Sequence, residues 1–515
     1  MNSESRTKRS IKNVITGFSL KIIGLIFPFI IKTVIIKELG INYLGLNSLF
    51  TSILMMLSLS ELGIGSALVF NMYKPIANGE KEKVCALLKA YRDIYRIIGI
   101  VISVIGILLI PFLPLLIKGG YPKDINIYVL YLIYLFNTVI SYLMFAYKKS
   151  LWEASQLNGY NNILEMITTF FMYIMQIIVL ILFKNYYIYI IFLPLSTLAL
   201  NLLRSYFVDK NFPEYKCYGK LEKGFIKSLY LKVKALLGHK IGSTVITGAD
   251  SIVISSMLGL ETLAIYSNYY QIINALIGVV TIFYTSITAS IGNLLVNANK
   301  HEKMKNFNTL TFINNWIVGW FSICLLCLFQ PFMKIWMGKD LMFSFDIVIL
   351  FVIYFYAWLF RRIGLTYKDA AGMWEEDFWK PYVGIIVNIV ANIVLCHYIG
   401  VAGALISTII IMLFIYFPWE TKVIFEKIFE QKTKRYYMKM IQYALVTIVF
   451  GVITYIVCNF IDVFYLHDIT ILLVKAFICV ILPNILFAII YHNTEEFKDT
   501  KKRVCSIISK RKKVI

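Results

Sequence analysis

The chain has 515 residues, 59% of them hydrophobic, a mean hydropathy of +0.73 and a formal net charge of +22. Soluble domains are nearer about 45–50% apolar, so this composition argues against a soluble catalytic domain and for an all-α, polytopic membrane protein. In such a protein a basic excess first reports topology, and no nucleic-acid partner is expected.

The first apolar helix is predicted over 12–37, too long for a cleavable signal and without a small-residue cleavage site after it. It carries Lys21 nine residues in, roughly 13 Å along the axis and close to the midplane of a hydrocarbon core about 30 Å thick. A lysine there costs about 2.5–3.5 kcal/mol on insertion scales and is read as a site by default. Lys32, eleven residues on, falls within about 20° of the same face, but its position suits snorkelling to the outer interface. A Leu39-Gly40-Ile41 turn leads into a second helix, 44–72, interrupted by Glu61. Glu61 is expected to pair with a cavity lysine, Lys21 by preference, or to act as a protonatable coupling group. If the helix ends at Gly63-Ile64-Gly65, it sits in a break instead. Further spans are predicted at 94–117, 125–147, 163–183 and 186–207, before the longest polar gap, Asp209 to Lys232.

Beyond the gap, 235–257 places Lys240, Thr244, Thr247 and Ser251 on one face, with Ser243 and Asp250 as a neighbouring stripe. Lys240 and Asp250 form a candidate ion pair, and interhelical hydrogen bonding is the plainer account of the same polarity. Spans at 262–296, 307–331, 343–366, 380–398, 401–421, 437–460 and 466–491 bring the total to fourteen. Cys324 and Cys327 form a C-x-x-C inside the ninth span and read as small apolar residues rather than redox or metal ligands. At the end of the tenth span and in the loop after it, Arg361, Arg362 and Lys368 precede Glu375, Glu376 and Asp377. Arginine clusters of this kind suit phosphate groups, and a charge-paired cytoplasmic loop is the alternative.

With both termini cytoplasmic, 41 of the 51 basic residues fall on inside segments and six on outside ones, as the positive-inside rule expects. A wrong span count would scramble that alternation. The short stretch LGINYLGLNSLF at 39–50 resembles LGLETLAIYSNY at 258–269 at an offset of 219 residues. The matches are Leu39/Leu258, Gly40/Gly259, Leu44/Leu263 and Ser48/Ser267, and the same offset carries Lys21 onto Lys240. The expected organisation is an N-terminal lobe 1–208, a basic linker 209–234, a C-terminal lobe 235–430, appended helices 431–493 and a basic tail 494–515. Parallel repeats of this kind place a substrate path between them. Tyr266, Tyr269 and Tyr270 with Asn268 and Gln271 are candidates for sugar contacts, or for interfacial packing.

No G-x-x-x-x-G-K-[ST] loop, H-E-x-x-H or Cys/His ligand spacing is present, so no cofactor, metal or catalytic residue is expected. The outside loops are too short to host a polymerase or ligase site.

The opening RSIKNVITGFSLKIIGLIFPFII…LGINYLGLNSLFTSILMMLSLSELGIGSAL, the stretch DSIVISSMLGLETLAIYSNYYQI and the segment DAAGMWEEDFWKPYVGIIVNIVANIVL resemble bacterial Wzx-type polysaccharide-repeat-unit flippases. These belong to the multidrug/oligosaccharidyl-lipid/polysaccharide flippase superfamily. The resemblance implies a MATE-like fold, with two pseudo-symmetric lobes around a central cationic cavity. It implies alternating access in the bacterial cytoplasmic membrane, with an undecaprenyl-pyrophosphate-linked oligosaccharide as cargo for capsular or other cell-surface polysaccharide. Membrane lipids and the pathway's polymerase and glycosyltransferases would be its partners. Lys21 and Lys240 would then be the cavity cations, with Glu61, Asp250, Ser243 and Thr247 as cavity polar or coupling residues. Arg361, Arg362 and Lys368 would lie at the cytoplasmic mouth. A cation-coupled multidrug exporter of the same fold is the alternative, for which Asp250 and Glu61 are the candidate acidic residues.

Overall fold

The computed structural model describes residues 6–58, 64–221, 241–242, 244–464 and 467–512. Among these residues every regular element is helical. The main helices are α1 (Arg6–Glu38), α2 (Ile41–Leu57), α3 (Ile64–Asn78), α4 (Lys81–Leu109), α5 (Ile127–Leu143), α6 (Lys149–Ala154), α7 (Asn158–Phe183), α8 (Tyr186–Asn211), α9 (Thr244–Leu258) and α10 (Leu260–Asn297). They continue as α11 (Lys300–Met337), α12 (Phe345–Leu359), α13 (Arg362–Ala370), α14 (Lys380–Ile399), α15 (Val401–Ile410), α16 (Phe417–Ile424), α17 (Lys434–Phe460), α18 (Asp468–Tyr491) and α19 (Glu495–Lys512). Eleven helices among the described residues are long and apolar enough to cross a membrane. The pair α5 and α6, bent by 46°, makes a twelfth, and α2 and α9 are shorter apolar helices.

Of the helix expected over 44–72, the structure describes α2, which ends at Leu57 with Ser58 as its cap, and α3 from Ile64 on; residues 59–63 lie outside the described residues. Gly65 then lets α3 press against α4, since a Cβ there would meet the Tyr91 hydroxyl at 2.5 Å. The span expected over 125–147 bends where Phe145 adopts φ 59°. Lys148 holds the bend from below, donating to Ser205 Oγ at 2.8 Å and to Asp209 at 2.5 Å.

The chain divides into two compact units, Met1–Ser267 and Asn268–Ile515. The dividing point lies inside α10. The basic segment 209–234 falls within the first unit, and from residue 222 on it lies outside the described residues.

In the first unit α1 packs along α7. Phe27 stacks on Tyr173 with ring centroids 5.3 Å apart, and Asn13 Oδ1 accepts the Gly159 N–H at 2.5 Å. The repeat turn meets its own copy within this unit. Gly40 and Gly259 take φ 110° and 94°, conformations that favour glycine. Leu44 and Leu263 are both fully buried. Ser48 Oγ donates to Ser267 Oγ at 2.9 Å, across the 219-residue offset. Gly45 permits the crossing, because a Cβ there would lie 2.3 Å from the Leu260 carbonyl oxygen.

In the second unit α11 is the axis, packed by α12, α17, α18 and α19. The basic tail expected at 494–515 contains a docked helix. In α19, Phe497 stacks on Trp316, Asp499 accepts from Thr309 and Glu496 pairs with Lys439. Between α15 and α16 the backbone runs through a π-helical segment, Ile411–Tyr416, and a second one, Phe425–Phe429, follows α16. Such segments insert extra residues and rotate the face a helix presents.

Candidate functional site

Within the first unit, α1, α2, α5, α7 and α8 line a partly open cavity of about 430 Å³. Its apolar wall includes Ile31, Ile35, Leu54, Met172 and Leu193. Its polar groups come from Lys32, Asn47, Thr51, Ser58, Tyr134, Asn137, Thr138, Tyr173, Gln176 and Tyr189. Pro28 also lines it; lacking an N–H, it leaves an α1 carbonyl without its helical partner and loosens the ladder one turn before Lys32.

Lys32 is the cation of this cavity. Its Nζ donates to the Ser267 carbonyl at 3.3 Å, and no carboxylate pairs with it among the described residues. The polar wall around it is held in place from behind. Tyr134 donates to Asn47 Oδ1 at 2.5 Å and lies 3.1 Å from the Tyr186 hydroxyl. Asn137 accepts from Thr197 at 2.7 Å, and Gln176 reaches the Tyr189 carbonyl at 3.4 Å. Phe50 packs edge-on against Tyr131 and Tyr134. These contacts fix the rotamers of groups that would otherwise reorganise around a solute.

The residues singled out from sequence are distributed differently. Lys21 is exposed on α1 and is not among the cavity-lining residues. Lys240, Ser243 and Glu61 lie outside the described residues. Asp250 is buried in α9 and accepts from the Tyr266 hydroxyl at 3.2 Å. Thr247 bonds back to the Thr244 carbonyl. Lys32, set aside as an interfacial lysine, is the one of these that lines the cavity. Its sequence signal was the stripe it shares with Lys21 and its spacing from Pro28.

The arginine-rich segment of the second unit is largely interior. Arg361 and Lys368 are 7% and 1% exposed, and their donors are directed at carboxylates. Arg361 Nη1 lies 2.5 Å from each oxygen of Glu420. Lys368 Nζ contacts both oxygens of Asp377 at 2.8 and 2.7 Å. Lys380, at the start of α14, bridges the two, 2.7 Å from Glu420 and 2.6 Å from Asp377. Arg361 and Lys380 also lie over the Tyr416 ring at 5.3 and 5.2 Å. Arg362, half-buried, sits over Tyr284. A phosphate would have to displace these carboxylates. Glu420, which joins the cluster from α16, was not noticed in the sequence, although a lone carboxylate in an otherwise apolar span is a signal in itself.

The helices and the cavity define a multi-pass membrane protein of the fold shared by flippases and multidrug transporters. A lipid II flippase MurJ structure in an inward-closed conformation aligns with a TM-score of 0.65 at 15% identity, covering 94% of this chain and 99% of that one. An inward-facing MATE-family multidrug resistance transporter of the MOP superfamily aligns at 0.60 and 13% identity, over 82% and 98%. The Vibrio cholerae MATE transporter VcmN aligns at 0.55 and 14% identity, over 83% and 99%. Comparison with curated proteins finds no match. The family model described as polysaccharide biosynthesis protein matches residues 10–288, more than half of the chain, and the chain belongs to that family. The match spans every helix that lines the Lys32 cavity.

Proposed function

We propose that this protein is a flippase that moves undecaprenyl-pyrophosphate-linked oligosaccharide repeat units across the bacterial cytoplasmic membrane, for capsular or other cell-surface polysaccharide. Its family membership, the MurJ-like and MATE-like fold and the positive-inside charge pattern support this reading. The charge pattern supports a cytoplasmic position for both termini. The observation that carries it is Lys32, a lysine without a described carboxylate partner, set in a cavity walled by amides and hydroxyls in the family-matched unit.

An ammonium in a low-dielectric cavity attracts a phosphate strongly, because water screens the pair poorly there. Lysine acts as a point charge rather than a bidentate fork, which suits a group that must be released on the far side. Asn47, Asn137 and Gln176 offer hydrogen bonds to sugar hydroxyls, and Tyr134, Tyr173 and Tyr189 offer ring faces and phenol groups. The cargo is carried without covalent change, by a switch between states open to either side. Lys21 and Lys240 remain proposed as a second pair of cations along the route. The exporter alternative calls for a carboxylate in the cavity; Asp250 is buried elsewhere, and Glu61 lies outside the described residues.

The test is complementation in a strain deleted for this protein. Lys32→Ala is expected to lower surface polymer at least 10-fold at normal protein level, with lipid-linked intermediate accumulating on the inner leaflet, and Lys32→Arg to restore part of the export. Full export by Lys32→Ala would remove the cation from the mechanism. Full export by a Lys21→Ala/Lys240→Ala variant would remove the second pair.

A further inference from the structure

Three cysteines far apart in sequence converge inside the second unit. Cys327 on α11, Cys458 on α17 and Cys479 on α18 are all buried, and their sulfurs lie within 4.8 Å of one another. The Cys458 and Cys479 sulfurs are 3.9 Å apart. A fourth thiol, Cys324, sits one turn away on α11, with its Sγ 3.8 Å from the Cys479 carbonyl oxygen. The C-x-x-C spacing of α11 therefore points at the same place as the two helices packed against it.

We infer that this cluster is a binding site for a thiophilic divalent cation of the zinc and cadmium class. With a metal–sulfur distance of about 2.3 Å, trigonal or tetrahedral thiolate ligation requires sulfurs roughly 3.8–4.0 Å apart. One pair already meets that spacing, and the others need only rotamer adjustment within fixed helices. Soft thiolates select such ions over magnesium or calcium. Three thiolates and a divalent ion carry a net charge of −1. Lys475, whose side chain is 4% exposed and which pairs with Asp462, lies one turn from Cys479 on α18.

The site also has an approach. A cavity of about 290 Å³ is lined by Cys327, Gln330, Lys334, Asp462, Asp468 and Lys475. Its rim carries two ion pairs, Lys475 with Asp462 at 2.8 Å and Lys334 with Asp468. The ion enters past these carboxylates, exchanges its water for sulfur and gives its ligand protons back to the same cavity. Once bound, it ties α11, α17 and α18 together at one point.

The experiment uses the full chain, reduced and purified in detergent, with Cys217 and Cys505 replaced by serine to remove the exposed thiol and the half-buried one. Cadmium ion is titrated alone. The expected result is a sulfur-to-cadmium charge-transfer absorption that saturates at one ion per chain, with a higher unfolding temperature that magnesium does not reproduce. Cys458→Ala and Cys479→Ala are each expected to weaken binding at least 10-fold. If those variants fail to fold, the cadmium stoichiometry and thermal shift of the parent still decide the matter. Absence of a saturable band in the parent overturns the site. So does a band unchanged in either folded variant, or a Cys458–Cys479 disulfide in the protein as isolated.

Discussion

Lys32 in the first unit and Lys380 in the second are both lysines held within helix bundles. Around Lys380 the protein supplies Glu420 and Asp377, and the same carboxylates take up Arg361 and Lys368. Around Lys32 it supplies a carbonyl, a set of amides and hydroxyls, and open volume. Burying an ion pair rarely gains much stability, but stranding one member of it is costly. The second arrangement therefore keeps its charges for architecture. The first pairs its charge with no carboxylate among the described residues, which is why a phosphate is proposed as its partner.

The sharpest way to break this contrast is Glu420→Ala, which leaves Arg361 and Lys380 buried without their shared carboxylate. It should cost about 3–5 kcal/mol, seen as loss of a monodisperse peak in detergent or a large drop in melting temperature. A variant as stable as the parent would mean that the cluster is not structural. Next in size is Gly45→Ala, where the added methyl meets backbone at the α2–α10 crossing. Overpacking of this kind costs typically about 1–3 kcal/mol, measurable in the same thermal assay. Lys32→Met should then change stability by no more than about 1 kcal/mol, since it deletes a charge that the membrane interior penalises, while export falls as described above. A strongly destabilised Lys32→Met would show that the cavity lysine is structural too.

The smallest effect concerns α19. Burial, the largest single influence, would raise the Glu496 carboxyl, but the Lys439 ammonium, its own backbone N–H and Arg435 together outweigh it and hold it below the ordinary carboxylate range. A lowered folded-state value means that these contacts stabilise fully above the ordinary carboxylate range and are lost as pH falls through the folded value. For a pair still reached by solvent that is about 1 kcal/mol or less. Amide exchange in α19, corrected for its intrinsic pH dependence, should accelerate under acid conditions more than exchange in α11.

The helices were legible because bilayer-length apolar runs leave little ambiguity, and the repeat turn was legible because Gly40/Gly259 and Ser48/Ser267 keep their spacing on both sides of the offset. The end of α2 at Leu57 was not fixed by the sequence, since serines and glycines weaken a helix without saying whether packing will rescue it. Lys32 was misjudged because depth along a single helix cannot tell lipid from a cavity. That distinction depends on α5, α7 and α8, whose residues lie more than a hundred positions away. The charges at 361–380 read as a phosphate-binding cluster or a charge-paired cytoplasmic loop, and not as an interior network, for the same reason. Arg361 finds Glu420 across 59 residues, and nothing local to either announces the pairing. The three converging cysteines sit on three separate helices, and only the C-x-x-C on one of them left a mark in the sequence.

The close approach at Gly45 has a consequence for how this sequence can drift. Its α-hydrogen faces a carbonyl of another helix, so no neighbouring side chain can shrink to compensate for a larger residue; both helices would have to part. Part they cannot without losing the Ser48–Ser267 contact one turn further on. Position 45 should therefore stay glycine in relatives that retain the 219-residue echo. The apolar residues around it are free to exchange among themselves. A relative with a branched residue at this position should have lost the paired serines as well.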